Sequence, residues 1–155
     1  MTKQTIVSGS RQMFGTNDRI RSGFDKADDN FTELYNTVLL SVNIPAHASK
    51  TVYNIFTADQ TYTVKSIRVT PDVAQGGTLT AVISKATGTA TPASGTTPLH
   101  SGTANLNGTA HTVQSLTLTT TTADLSLAVG DRIGLILSGA LSTGSANVSI
   151  RLGKA

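Results

Sequence analysis

The sequence predicts a mainly β chain. An N-terminal arm and one amphipathic helix occupy residues 1–38, and a β-sandwich of about eight antiparallel strands, with a jelly roll as first choice, occupies 39–155. Three observations predict it. Threonine makes up roughly one residue in six and charged residues only 14%, and threonine suits a pleated, half-exposed surface. Short runs of alternating apolar residues recur along 39–155 with turn residues between them, which is the pattern of a sandwich or barrel. Between residues 20 and 38 the apolar spacing changes to that of a helix.

The first fifteen residues read as an extended arm. Thr5-Ile6-Val7 could pair as a short strand, Ser8-Gly9-Ser10 and Gly15 interrupt it, and Met13 and Phe14 give it apolar side chains with which to dock. Residues 16–38 form the helix. Thr16, Asn17 or Asp18 can supply the N-cap oxygen for the unpaired N–H groups of the first turn. Ile20, Phe24, Ala27, Phe31, Leu34 and Val38 then follow at steps alternating between four and three, a mean period of about 3.5. Asp25, Lys26, Asp29, Glu33 and Asn36 lie opposite and form a solvated face. Such a stripe fits either a short coiled coil between identical chains, three-stranded to accommodate Phe24 and Phe31, or a helix packed on the protein's body or on a partner.

The strands follow in order. Val38 to Ile44 is apolar and stops at Pro45. Thr51–Phe56 and Gln60–Thr70 are separated by Thr57-Ala58-Asp59. Thr78–Ser84 places Leu79, Ala81 and Ile83 on one face. Residues 86–110 are rich in Thr, Gly, Ala, Pro and Ser, and a structureless loop of that length is unusual, so a short strand is expected over Leu99–Ala104. Leu116 and Leu118 share a face in His111–Thr119. Leu125, Leu127 and Val129 alternate up to the turn at Gly130-Asp131. Ile133, Leu135 and Leu137 alternate next, then Val148, Ile150 and Leu152.

Composition restricts the function. A chain of 155 residues can bury roughly 70% of its unfolded surface and needs neither disulfides nor metal to fold. It has no cysteine, which removes thiol nucleophiles and thiolate metal sites. No run of about 18 apolar residues suits a membrane span. The N-terminus lacks the apolar stretch of a secretory signal, so synthesis in a cytoplasm is expected. The net charge of +3 is spread along the chain, without the clustered basic footprint that nucleic acid requires. His47, His100 and His111 lie in or beside expected loops, and none is spaced for zinc. The sequence has no nucleophile elbow and no phosphate-cradling Gly-rich loop. Asp25, Asp28, Asp29 and Asn30 sit within a helical pattern and lack the turn glycine and distal glutamate of a calcium loop. No enzyme activity and no cofactor are expected.

All seven aromatic residues, Phe14, Phe24, Phe31, Tyr35, Tyr53, Phe56 and Tyr62, lie in the first 62 positions. Sugars and single-stranded nucleic acids are held largely by stacking on aromatic rings, which the C-terminal strands and loops lack. Protein interfaces favour aromatic anchors together with arginine. The N-terminal segment has both, with Arg11, Arg19 and Arg21 beside Phe14 and Phe24. The preferred reading is attachment through the N-terminal third with the β domain displayed. The alternative is that these aromatics form a core between helix and sheet.

Residues 15–35, with the helix start Asp18-Arg19-Ile20, the step Phe24-Asp25-Lys26 and the ending Asn30-Phe31-Thr32-Glu33-Leu34-Tyr35, resemble a motif near the N-termini of tailed-bacteriophage structural proteins. Leu127-Ala128-Val129-Gly130-Asp131-Arg132-Ile133 is similar in style to phage β domains. The resemblance implies a virion protein whose helix serves in oligomerisation or attachment. The expected role is a capsid decoration protein, a homotrimer seated on the major capsid protein or other virion proteins. The alternatives are a tail-fibre or baseplate component and a glycan-binding module.

Overall fold

The computed structural model describes residues 24–31, 35–75, 78–93 and 97–154. The chain divides into two compact units, Met1–Tyr35 and Asn36–Ala155. In the first, residues 24–31 are helical (α1) and so is Tyr35. Arg11, Phe14, Arg19, Ile20, Arg21 and Leu34 lie outside the described residues.

The second unit is a mainly β body, and it begins earlier than expected. Val38 is not the last residue of a helical seam but the second residue of β1 (Thr37–Pro45). At this junction the helical period and the strand period share a residue. The strand period wins because Val38, Leu40, Val42 and Ile44 then all face the core, and β-branched side chains favour the strand. The expected domain boundary at 38/39 thus falls inside β1.

Two antiparallel sheets form the body. The first has the order β1, β10 (Ser145–Lys154), β3 (Tyr62–Pro71) and β7 (Gln114–Leu116), with β8 (Ser126–Leu127) also paired to β3. The second has the order β2 (Val52–Thr57), β9 (Arg132–Leu137), β4 (Thr80–Ala86) and β5 (Thr97–Pro98), with β6 (Ala104–Asn105) also paired to β4. Register carries the alternation across strands. Leu40, Ile150, Ile67 and Leu116 stand in one row of the first sheet, and Tyr53, Leu135 and Ile83 in one row of the second. The inner rows of both sheets, among them Val64, Ile67, Val148, Ile150, Ile83, Ile133 and Leu135, belong to a single buried apolar cluster. One core shared by two sheets is a sandwich.

Three of the expected elements take a different form. The stretch Leu99–Ala104 contributes two-residue strands on either side, β5 and β6, while Leu99 itself is fully buried and donates its N–H to the Ile83 carbonyl at 3.0 Å. In His111–Thr119 only β7 pairs along its length. Leu125 ends a one-turn helix, α2 (Thr122–Leu125), instead of opening a strand. Lys85 Nζ donates to the Ala123 and Ser126 carbonyls at 3.0 Å each, a cation at the negative end of that turn. Val129 stays 68% exposed in the turn before β9. There Gly130 takes φ +86°, and Asp131 Oδ2 accepts the Ala128 N–H at 2.9 Å.

The loop after β4 folds back on the outer face of the second sheet. Pro92 is buried, and Arg132 holds the loop by donating from its guanidinium to the Gly88 carbonyl at 2.7 Å and to the Ala90 carbonyl at 2.5 Å. Gly134 makes this possible, because a Cβ there would lie 2.3 Å from the Pro92 ring. Gly134→Val is therefore expected to lower stability by about 1–3 kcal/mol through overpacking, read as a lower urea midpoint. Adding Pro92→Gly should recover part of the loss, because it removes the atom that the new side chain strikes.

Candidate functional site

The histidines of the body are engaged in structure, while the buried Ser84 hydroxyl in β4 has no hydrogen-bond partner. His47 Nδ1 accepts the N–H groups of Ser49 and Lys50 at 3.2 and 3.0 Å, closing its own loop. His100 is 3% exposed, and its Nε2 accepts the Ile83 N–H at 2.9 Å. Burial pushes its pKa below the ordinary histidine value, partly offset by the Ser101 carbonyl. His111, at φ +61°, sets Nδ1 3.6 Å from Asp72 Oδ1. Ser145 Oγ lies 3.5 Å from Asp72 Oδ2. In that trio the carboxylate, not the imidazole, stands beside the hydroxyl. The arrangement needed to activate a serine places the base there. Among the described residues no group of three His, Cys, Asp or Glu side chains could hold a metal ion, and no helix is long and apolar enough to cross a membrane.

The two ends of the sandwich differ. At the end where β1 begins and β10 finishes, the β2–β3 turn is fixed by Tyr62. Its hydroxyl donates to Asp59 Oδ1 at 2.7 Å and accepts from Gln60 Nε2 at 3.0 Å. The Tyr62 hydroxyl is the main cause holding the Asp59 carboxyl below its usual pKa, aided by backbone N–H groups and Lys154, against a desolvation penalty. Phe56 meets the Tyr62 ring edge-on at 5.5 Å.

At the opposite end, the loops are bonded to one another. Ala46 and His47 donate N–H to the Gly144 and Leu141 carbonyls, Asp72 to Ser145, Gln75 to Leu106, and Leu79 to Asn107 Oδ1. Gln75 is buried, and its amide bridges the Val73 and Thr143 carbonyls at 3.1 and 2.8 Å. The sequence offers no signal for this role of Gln75, because Thr143 lies far along the chain. The aromatic residue at this polar end is Tyr53, whose buried ring lies 4.6 Å beneath Lys50 Nζ and whose hydroxyl donates to the Lys50 carbonyl at 3.4 Å.

Exposed apolar side chains are scattered singly over the body, at Leu39, Val73, Val113 and Val129, whereas α1 carries two large rings on one short helix. Phe24 is 70% and Phe31 59% exposed, with Ala27 half-buried between them and Tyr35 also exposed. Asp25, Lys26, Asp28 and Asp29 are exposed on the same short helix. Burying a phenylalanine contributes roughly 1.5–3 kcal/mol, so a single chain leaves that stabilisation unused at two positions. Of the residues expected to form an interface, α1 brings together Phe24, Ala27 and Phe31, while Val38 joins the sandwich.

No protein-family model matches the chain, and no curated protein matches it. Among solved structures, it is similar to a crystal structure of a pentameric capsid protein isolated from metagenomic phage sequences. The two share 21% identity over 98% of this chain and 82% of that one, with a TM-score of 0.37. A second crystal structure described in the same words and solved by iodide phasing gives 22% identity over 95% and 81%, with a TM-score of 0.36.

Proposed function

We propose that this chain is a non-enzymatic virion structural protein of a tailed phage that decorates the outside of the capsid. The observation that carries the reading is the pair of exposed rings, Phe24 and Phe31, on a helix within the segment that resembles phage attachment helices. Exposed aromatic anchors on an otherwise polar chain fit a protein interface. Their spacing of seven residues suits a three-stranded helical contact, and a homotrimer on a local threefold axis would use each small interface several times. The N-terminal unit is the attachment segment and the sandwich is the displayed body. Binding energy alone supplies the activity, since whatever binds only the assembled shell stabilises it.

The strand order supports a jelly roll as the finer topology. β1 pairs with β10, β2 with β9, β3 with β7 and β8, and β4 with β5 and β6. These are nested pairs of one long antiparallel ribbon, alternating between the two sheets, as in a rolled-up double Greek key.

The test is antibody labelling of intact particles, viewed by electron microscopy. Label over the heads is the expected result. Label confined to tails would replace decoration by a fibre or baseplate role, and unlabelled particles would overturn the virion reading.

A further inference from the structure

We propose that β1 is a pairing edge for a second copy of this chain, two β1 strands meeting antiparallel about a twofold axis through Ser41. The inference goes beyond the virion reading and does not depend on it.

The contrast among the edges of the sandwich is the starting point. Exposed strand edges are templates for pairing, and proteins usually blunt them by shortness, bulges or charge. Three of the four edges here are blunted. β7 has three residues and β5 two, and β2 is broken by a bulge between Asn54 and Phe56. β1 is the outer strand of its sheet, runs nine residues and pairs with β10 throughout without a bulge. Its sequence, Thr37-Val38-Leu39-Leu40-Ser41-Val42-Asn43-Ile44-Pro45, contains no charged residue.

The hydrogen-bond phase identifies the free groups. Lys154 donates to the Asn36 carbonyl, and Ala46 donates to the Gly144 carbonyl. Even-numbered residues therefore face β10, and antiparallel alternation turns the N–H and C=O of Thr37, Leu39, Ser41, Asn43 and Pro45 to the open side, where no described residue pairs with them. An axis through Ser41 matches these groups to themselves. Ser41 pairs with its own copy, Leu39 with Asn43, and the Thr37 N–H meets the Pro45 carbonyl, the one position whose missing donor is harmless.

The side chains agree with this register. Val38, Leu40 and Val42 point inward yet remain half-exposed, because the core is uncapped at this edge. Across the axis Val38 stands opposite Ile44 and Leu40 opposite Val42, so both apolar rows become continuous. A neutral strand meets its copy without like-charge repulsion, which fits a second copy better than a charged partner. The edge is about 30 Å long at ~3.4 Å per residue, a small contact by the standard of stable dimers. It strengthens when chains are already gathered by another interface.

Cysteine substitution tests the register, since the full chain has no cysteine. In a hydrogen-bonded antiparallel pair the two Cα atoms at the axis lie about 5.5 Å apart, within disulfide reach. Mild oxidation of Ser41→Cys is expected to give a covalent dimer. Asn43→Cys would place its own copies about 14 Å apart along the strand and should remain monomeric on a non-reducing gel. Failure of Ser41→Cys to link, or equal linking by Asn43→Cys, overturns the proposal. On the unmodified chain, amide exchange at Leu39 and Ser41 should slow on concentration. Rates that stay constant across a hundredfold range overturn it as well.

Discussion

Replacing His100 with alanine is expected to cost about 3–5 kcal/mol, close to the largest single-residue effects in a domain of this size. Two terms add. The Ile83 N–H would lose its acceptor in the core, a penalty of roughly 1–3 kcal/mol, and a buried side chain would be replaced by a void, which adds a comparable amount. The position is also a junction. Leu99 donates to Ile83 and accepts from Thr119, and His100 bridges Leu118, so the segment after β5 is tied to the strand region of the other sheet at this point. The same geometry predicts a pH dependence. Nε2 can accept only when it is unprotonated, and burial holds the folded pKa below the ordinary value. Below about pH 6.5 the unfolded histidine binds a proton that the folded one does not. The unfolded state then binds more protons, so stability is complete above that pH and falls as pH drops toward the folded pKa. Urea midpoints at pH 7.5 and 5.5 should separate for the native chain. They should separate less for His100→Leu, which removes the titrating group.

The strands that build the core were legible because each is a run of strict alternation: Ile133, Leu135 and Leu137, then Val148, Ile150 and Leu152, all buried as the pattern requires. What was not legible depends on partners distant in sequence. Val38 satisfied two periods at once, and only its pairing with Leu152 decides between them. Leu125 fitted an alternating run with Leu127 but ends a helical turn whose last carbonyls are met by Lys85, forty residues earlier. Gly134 provides room for Pro92, and nothing in the alternation around it signals a partner so much earlier in the chain. His100 read as a loop residue because the donor it serves is in β4. The candidate surface was legible in part. The aromatic and acidic positions of α1 follow from spacing alone. The open edge of β1 does not, since strand order is set by the whole topology and by no local pattern.

Exchanging Phe24 and Phe31 together for serine is expected to abolish assembly while leaving the sandwich intact. Both rings are mostly exposed in the single chain, so their removal should move the unfolding midpoint of the body by no more than an ordinary surface change, within about 0.5 kcal/mol. Each ring would bury its surface only against a partner. At roughly 1.5–3 kcal/mol per ring, the pair accounts for about 3–6 kcal/mol per contact, which is about a 10²- to 10⁴-fold loss in affinity. Native mass and particle binding should therefore collapse with an unchanged thermal transition. A variant that keeps the native mass and the particle binding of the parent chain would refute the interface. A variant that unfolds would place the rings in a core between helix and sheet, the alternative to an attachment surface. The two mutations of this section thus divide the molecule. His100→Ala is expected to move the stability of the body alone and the phenylalanine exchange to move association alone, so a change that moves both readouts together would contradict that division.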